Sequence, residues 1–364
     1  MSVALYRKYR PKSFSDLVGQ AYLVDVFRNA AKKKKLAHAY IFYGPRGTGK
    51  TTTARLVAKI ANCLSEDNLS KHGEPCNKCS VCQEIDAGQA MDVVEIDAAS
   101  NRGIDEIRDL KNGIRLSPSS SRHKVFIIDE VHMLTKEAFN ALLKTLEEPP
   151  EHAILILATT EYEKIPATIS SRAQRFHFNK LSLLDIAGKL KNIITKEKFK
   201  ITDDAIELIA AAAEGGLRDA ESLLDQVTSL AKEADLKVVE NIIGKIGFKR
   251  ISDLTDLIIS KDLGGSLRFL HQLNNSGANL TELTKELINY LRRVLALSCD
   301  KDMEMIFQKE LIKDEISKIK THSQKISKEK LVSLLHSLIR AYGDMRYSPF
   351  PHVPIELAFI ENLM

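Results

Sequence analysis

The chain has 364 residues, more than one ordinary domain needs, which points to two or three units that each bury a core. With 44% apolar and 28% charged residues it has the balance of a folded chain, which excludes a disordered one. No apolar stretch reaches the roughly eighteen residues of a membrane span, and Met1 opens no signal-peptide pattern, so the expectation is a cytoplasmic protein with no membrane partner. The net charge of +5 is unevenly placed. Residues 1–60 carry thirteen lysines and arginines against Asp16 and Asp25, a local +11 that leaves −6 for the remainder. A basic front of this kind suits polyanions. Of the five cysteines, Cys63, Cys76, Cys79 and Cys82 crowd one short window and Cys299 stands apart. In a reducing compartment such clustering favours metal over disulfides.

Residues 39–43 read as a buried strand ended by Gly44, followed by a helix from about Gly49 to Ala61 with Leu56, Val57 and Ile60 on one face. Val93–Ile96, Val125–Ile128 and Ile154–Ala158 are three further strand candidates. Between them lie two amphipathic helical patterns, one through Ile104, Ile107, Leu110 and Ile114, the other through Phe139, Leu142, Leu143 and Leu146. Continuous apolar strands alternating with such helices predict a parallel sheet covered on both faces. The polar segments Ser65–Pro75 and Ser117–Lys124 read as loops. Beyond Asn179 the strand signal fades. Helices are expected to the end, with a break at Gly215-Gly216, a helix opened by Asn279 and Glu282, another through Leu331, Leu334, Leu335 and Leu338, and a last one from Pro354. The expected domains are 1–179 (α/β), 180–242 (helical) and 243–364 (all-α). Cys299, near Leu295 and Leu297, reads as a buried hydrophobe.

Gly44-Pro45-Arg46-Gly47-Thr48-Gly49-Lys50-Thr51 satisfies the phosphate-loop pattern G-x-x-x-x-G-K-[ST], with a strand before it and a helix after it. The glycines let backbone N–H groups turn onto an anion, and the helix start adds its positive end. Lys50 would reach the β and γ phosphates of ATP, and Thr51 would ligate Mg²⁺. The spacing disfavours a dinucleotide site. Asp129 and Glu130, at the end of a strand, supply the acidic element: Asp129 for Mg²⁺, Glu130 for the attacking water. His132 beside them reads as a structural neighbour. Thr159 and Thr160 end the next strand, where a polar group would face the γ-phosphate or the water. Arg172 and Arg218 sit near helix ends, and arginine is the side chain that stabilises transferring phosphoryl charge. Cys63, Cys76, Cys79 and Cys82 provide four thiolates for a closed tetrahedral Zn²⁺ site, with an iron–sulfur cluster as the competing reading.

Taken together these motifs resemble the AAA+ ATPase subunits of bacterial sliding-clamp loaders, the gamma/tau family of DNA polymerase III. The resemblance rests on Tyr6–Pro11 with Val18-Gly19-Gln20, the phosphate loop, the cysteine insertion, Glu95–Ser100, Asp129–Leu134 and Ala141–Pro150. It implies an AAA+ P-loop domain with a zinc-binding insertion, a helical lid and an all-α oligomerisation collar. It also implies that Thr160, in preference to Thr159, is the sensor-1 residue and Arg218 the sensor-2 arginine. Arg172 matches the arginine of a Ser-Arg-Cys motif that acts on ATP held by a neighbouring subunit, although Ala173 replaces the cysteine here. Arg10–Gln20 would line the adenine pocket. The implied partners are the other subunits of a hetero-oligomeric ring, the sliding clamp and primer–template DNA, with Arg102, Arg108, Lys111 and Arg115 as candidates for DNA contact. No polymerase carboxylate constellation is present, so a polymerase activity would belong to the assembly. A DNA-remodelling motor and a non-enzymatic scaffold are the other readings. The cysteine insertion and the long helical end argue against the first, and the intact Lys50 and Glu130 against the second.

Overall fold

The computed structural model describes residues 4–100, 110, 112–231, 233–243, 247–275, 277–307, 311, 313–345 and 347–364. The chain folds as two compact units. One runs to Leu181 and includes Gly215–Asp219; the other takes Ser182–Glu214 and Ala220–Met364.

The first unit is built on a parallel sheet. β1 (Ala39–Tyr43), β2 (Val93–Asp97), β3 (Lys124–Asp129), β4 (Ala153–Thr159) and β5 (Gln174–His177) lie in the order β2-β3-β4-β1-β5. Every residue of β4 is buried, as expected of a central strand covered on both faces. Tyr40, Phe42, Ile127 and Ile156 pack on one side against Phe27, Leu56 and Val57. Ile41, Phe126, Ile128 and Leu155 pack on the other against Phe139, Leu142 and Leu146. The four strands read from the sequence are all present, each within a residue of its expected end. β5 was not expected. Only Phe176 of its four residues is buried, because it is an edge strand with only β1 beside it. The parallel α/β class is borne out, and the sheet register sets the site: Tyr43 lies opposite Thr159, and Asp97 opposite Asp129, so four strand ends open at one edge.

Of the two loop expectations, one changes and one holds. Ser65–Pro75 contains a helix, Glu66–His72, whose Leu69 joins the aromatic core and whose end is closed by Gly73 in a left-handed conformation. Ser117–Lys124 is irregular, but buried Asp92 accepts hydrogen bonds from the N–H groups of Ser119, Ser120 and Ser121 at 2.8–2.9 Å.

The second unit is helical, with one short exception: Lys200–Ile201 pairs in parallel with Glu233–Ala234, a bridge too brief to leave a hydropathy pattern. The Asn279 side chain accepts from the N–H groups of Thr281 and Glu282 and starts the helix Leu280–Cys299. That helix buries Leu283, Leu287, Tyr290, Leu291 and Val294 against Leu331, Leu334 and Leu338 of the helix Lys328–Met345 and Phe359 of the helix His352–Leu363. Each such side chain stabilises by about 1.5–3 kcal/mol. The last helix begins two residues before Pro354, directly after Pro351. Cys299 is exposed, which corrects its expected burial. It ends its helix two positions past Leu297, the residue that completes the apolar stripe. No helix among the described residues is long and apolar enough to cross a membrane.

Candidate functional site

β1 is followed at once by the glycine-rich loop, and two glycines make that passage possible. Gly44 has φ +140°, and a Cβ there would lie 2.2 Å from the Phe178 carbonyl oxygen. Gly49, at φ +102°, starts the helix Lys50–Asn62 from the left-handed region. Thr48 is buried and donates its hydroxyl to the Pro45 carbonyl at 2.8 Å, while Arg46 points outward, exposed. Lys50 is also buried. Its Nζ donates to the carbonyls of Gly44 at 2.8 Å and Pro45 at 2.7 Å, so the ammonium closes the loop on itself. Burial pushes its pKa down, and the charges of Glu130 and Asp129 pull it back.

β3, one strand removed from β1 across β4, brings the acidic pair to this loop. The Thr51 hydroxyl donates to Asp129 Oδ2 at 2.8 Å across a sequence separation of 78 residues. Two hard oxygens at that spacing, next to a cradle of backbone N–H groups, suit a small divalent cation held together with phosphate oxygens. Glu130 has φ +47° and ψ +44°, a left-handed conformation that costs a non-glycine residue about 1 kcal/mol or more. That backbone turns the carboxylate toward β4: its Oε2 accepts the Thr160 hydroxyl at 3.0 Å and the Thr160 N–H at 3.3 Å. Thr159 is fully buried and differently engaged. Its hydroxyl lies 2.9 Å from His132 Nδ1 and accepts from the Glu161 N–H at 3.0 Å. His132 also lies 3.4 Å from Glu130 Oε2 and 3.2 Å from Glu161 Oε1, and so braces the acidic turn. The sequence proposed Lys50, Thr51, Asp129, Glu130 and Thr160 separately, and the fold brings them together.

The arginines are more dispersed. Arg172 follows the short helix Ala167–Ser170, donates to the Thr168 carbonyl at 2.7 Å and pairs with Glu147 at 2.8 Å. Its partly exposed position lies apart from the hydrogen bonds of the phosphate loop. Arg218 stacks over the Tyr6 ring at 5.0 Å from its centroid. The Leu217 N–H donates to the Gly47 carbonyl at 3.0 Å, which ties this turn to the phosphate loop. Burial lowers the pKa of Arg10, and the neighbouring charge of Arg55 adds to the effect. Arg55 itself forms a forked ion pair with Glu95, one arm at 2.5 Å. Tyr6 and Glu95 belong to segments noted in the sequence, but periodicity and spacing carry no signal for their pairing with arginine. Arg115 is exposed; Arg102, Arg108 and Lys111 lie outside the described residues. The run Lys32–Lys35 is exposed, with Lys34 paired to Glu66 at 2.9 Å.

The four clustered cysteines converge. The Sγ atoms of Cys63, Cys76, Cys79 and Cys82 all lie within 4.8 Å of one another. A tetrahedral zinc with bonds of about 2.3 Å needs sulfurs roughly 3.8 Å apart, so the donor set fits. Backbone N–H groups point at the sulfurs: Cys76 to Cys63 Sγ at 3.4 Å, and Lys78 and Cys79 to Cys76 Sγ at 3.5 and 3.3 Å. Burial raises the Cys63 and Cys82 thiols. Desolvation acts the same way on Cys76, but the two N–H donors together with hydrogen bonds from the Cys63 and Cys79 side chains outweigh it and bring its pKa down to about 7. A metal would supply the charge that the buried pair requires to ionise.

Comparison with known proteins agrees along the chain. Residues 19–182 match the family described as "DNA polymerase III, delta subunit", residues 185–233 "DNA polymerase III clamp loader subunit, ATPase lid domain", and residues 234–363 "DNA polymerase III subunits gamma and tau domain III". The chain is 37% identical to the DNA polymerase III subunit gamma of Buchnera aphidicola (subspecies Schizaphis graminum), covering 99% of this chain and 97% of that one. It is 41% identical to the tau subunit of Bacillus subtilis over 98% of its own length, and spans 62% of that longer relative. Among solved structures, the Thermotoga maritima RuvB Holliday junction branch migration motor aligns with 69% of this chain and 79% of its own, at 19% identity and a TM-score of 0.49.

Proposed function

Because the chain belongs to the gamma/tau family of DNA polymerase III clamp-loader subunits, we propose that it is the ATPase motor of a clamp loader. It would use ATP binding and hydrolysis to open a sliding clamp and place it on primed DNA, within a hetero-oligomeric ring of loader subunits in the cytoplasm. One observation carries the reading: Thr51, Asp129, Glu130 and Thr160 form a hydrogen-bonded pair of pairs beside the Lys50 loop. Residues 180–242 would act as the lid and 243–364 as the collar. The cysteine insertion would be a structural zinc site, since four thiolates leave no open position.

In the reaction, the glycine-loop N–H groups and Lys50 would hold the triphosphate, with Lys50 exchanging its two carbonyl partners for the β and γ phosphates. Mg²⁺, when held by Thr51 and Asp129, supplies charge neutralisation across the same phosphates. Glu130 would take the proton of a water attacking the γ-phosphorus as the bond to the ADP oxygen breaks. Thr160 holds that carboxylate from the β4 side. Arg172 would act on a neighbouring subunit's ATP, and Arg218 would report nucleotide by leaving Tyr6. Exposed Arg115 is the described candidate for phosphate contact with DNA. The test is ATP hydrolysis by the assembled loader with and without clamp and primed DNA. Acceleration by both together is expected; hydrolysis indifferent to them would overturn the reading.

A further inference from the structure

The cysteine module does more than close on itself, because two of its neighbours reach into the nucleotide side of the domain. Glu74, two residues before Cys76, is buried and holds four donors. Its Oε2 accepts the Phe14 N–H at 2.7 Å; its Oε1 accepts the Ser15 N–H at 2.9 Å and Arg28 Nε and Nη2 at 2.8 and 2.5 Å. Beside it, Gly73 sits so close to the Arg28 backbone that a Cβ would lie 2.5 Å from its carbonyl oxygen. Lys59, on the helix that follows the phosphate loop, is 1% exposed and points into the cysteine knuckle. Its Nζ meets Asp86 Oδ1 at 2.5 Å, Asn77 Oδ1 at 2.9 Å and the Lys12 carbonyl at 3.4 Å. Asn77 itself, between Cys76 and Cys79, has φ +57°.

Both ties therefore end on one segment, Lys12–Ser15. Leu17, two residues further, is the one side chain that a Cβ on Gly49 would meet, at 3.8 Å. Gln20 then donates to the Asn179 carbonyl at 2.9 Å. A metal that fixes the knuckle fixes Asn77 and the approach to Glu74, and through them the chain that runs past the phosphate loop.

We propose that the four-cysteine module is a metal-dependent brace for nucleotide binding, with Glu74 and Lys59 as positioning residues that pass the order of the knuckle to residues 12–17. This rests on the nucleotide-binding reading above, and the experiment separates the two. The 364-residue chain is prepared zinc-loaded and zinc-stripped with a zinc-selective chelator, and Mg²⁺ is restored. Binding of a fluorescent ATP analogue and backbone hydrogen exchange are then measured on each form.

Stripping zinc is expected to weaken the analogue about tenfold, the effect of losing a small set of charge-assisted hydrogen bonds, and to speed exchange at Phe14 and Ser15 while β3 and β4 stay protected. Glu74→Gln is expected to keep its zinc, shown by metal analysis, yet bind the analogue as weakly as the stripped chain, with little further loss on stripping. Lys59→Met is the second variant, with the same expectation. Unchanged analogue affinity on zinc removal overturns the proposal. So does exchange that rises equally in β3 and β4, because the module would then be a general folding staple. If the zinc-loaded chain itself fails to bind the analogue, the nucleotide reading has failed instead.

Discussion

The Thr160 hydroxyl donates to Glu130 Oε2 at 3.0 Å, and Glu130 reaches it only through a left-handed backbone. A strained residue held by a specific partner at a strand end points to a carboxylate whose direction matters. Thr160→Val removes the hydroxyl at nearly constant volume. It should leave nucleotide affinity within about twofold and slow hydrolysis about tenfold, while Glu130→Gln slows it by about a hundredfold or more. Single-turnover hydrolysis alongside equilibrium binding checks this. Equal loss of binding in both variants would remove Glu130 and Thr160 from the chemical step.

Lys50 and Thr51 are neighbours with separable roles. The Lys50 ammonium is held by two loop carbonyls, and Thr51 is tied to Asp129. Lys50→Ala should abolish detectable binding of ATP. Thr51→Val should preserve metal-free binding but lose most of the gain that Mg²⁺ gives, about tenfold or more, since one hard oxygen ligand is gone. Titrations with and without Mg²⁺ distinguish them. A Thr51 variant with full Mg²⁺ dependence would place the cation elsewhere.

Arg172 pairs with Glu147 on a partly exposed turn, with no hydrogen bond to its own phosphate loop. Arg172→Ala should therefore bind nucleotide normally and hydrolyse it slowly only where it borders another subunit's site. In mixed assemblies, an Arg172→Ala chain should retain its own turnover when flanked by an intact arginine, while its neighbour's turnover falls about a hundredfold or more. If the variant's own site fails in that mixture, the arginine acts within its chain.

How legible was this in the sequence? The parallel strands were, because β1, β3 and β4 are buried on both faces and leave continuous apolar runs. β5 was not, since an edge strand with one buried residue, Phe176, leaves no such run. The phosphate loop and acidic pair were legible because their chemistry fixes residue type and spacing. The partners of Glu130, Lys59 and Glu74 were not, because those contacts join residues 18 to 60 positions apart and depend on fold register rather than local pattern. Lys59 did carry a trace: a lysine one residue from Ile60, within the helix that lays Leu56 and Val57 on the core. Cys299 misled because nearby leucines do not bury a residue that falls off their stripe.

His322 gives the helical unit a titration of its own. Its ring is fully buried, with Nδ1 2.8 Å from the Tyr290 hydroxyl and Nε2 2.9 Å from Asp256 Oδ1, while Lys318 pairs with Asp256 at 3.0 Å. Burial lowers its pKa below 6.5, Asp256 opposes that, and the charges of Lys318 and Lys325 add to it. The folded state therefore favours the neutral ring, and the unfolded chain binds the proton more readily. That stability is fully present above pH 6.5 and is lost as pH falls from there toward the depressed folded value, with a slope of at most about 1.4 kcal/mol per pH unit. Asp256 acts later. Although desolvation raises its pKa, hydrogen bonds from Lys318 and His322 bring it below 3.8, so its contribution is lost only as pH drops through that lower range. The two windows are separable by denaturant melts between pH 8 and 3. His322→Gln keeps a donor and an acceptor without a titrating ring, and it should flatten the fall just below pH 6.5 while leaving the more acidic one. An unchanged slope below pH 6.5 in that variant would assign the acid sensitivity to other groups.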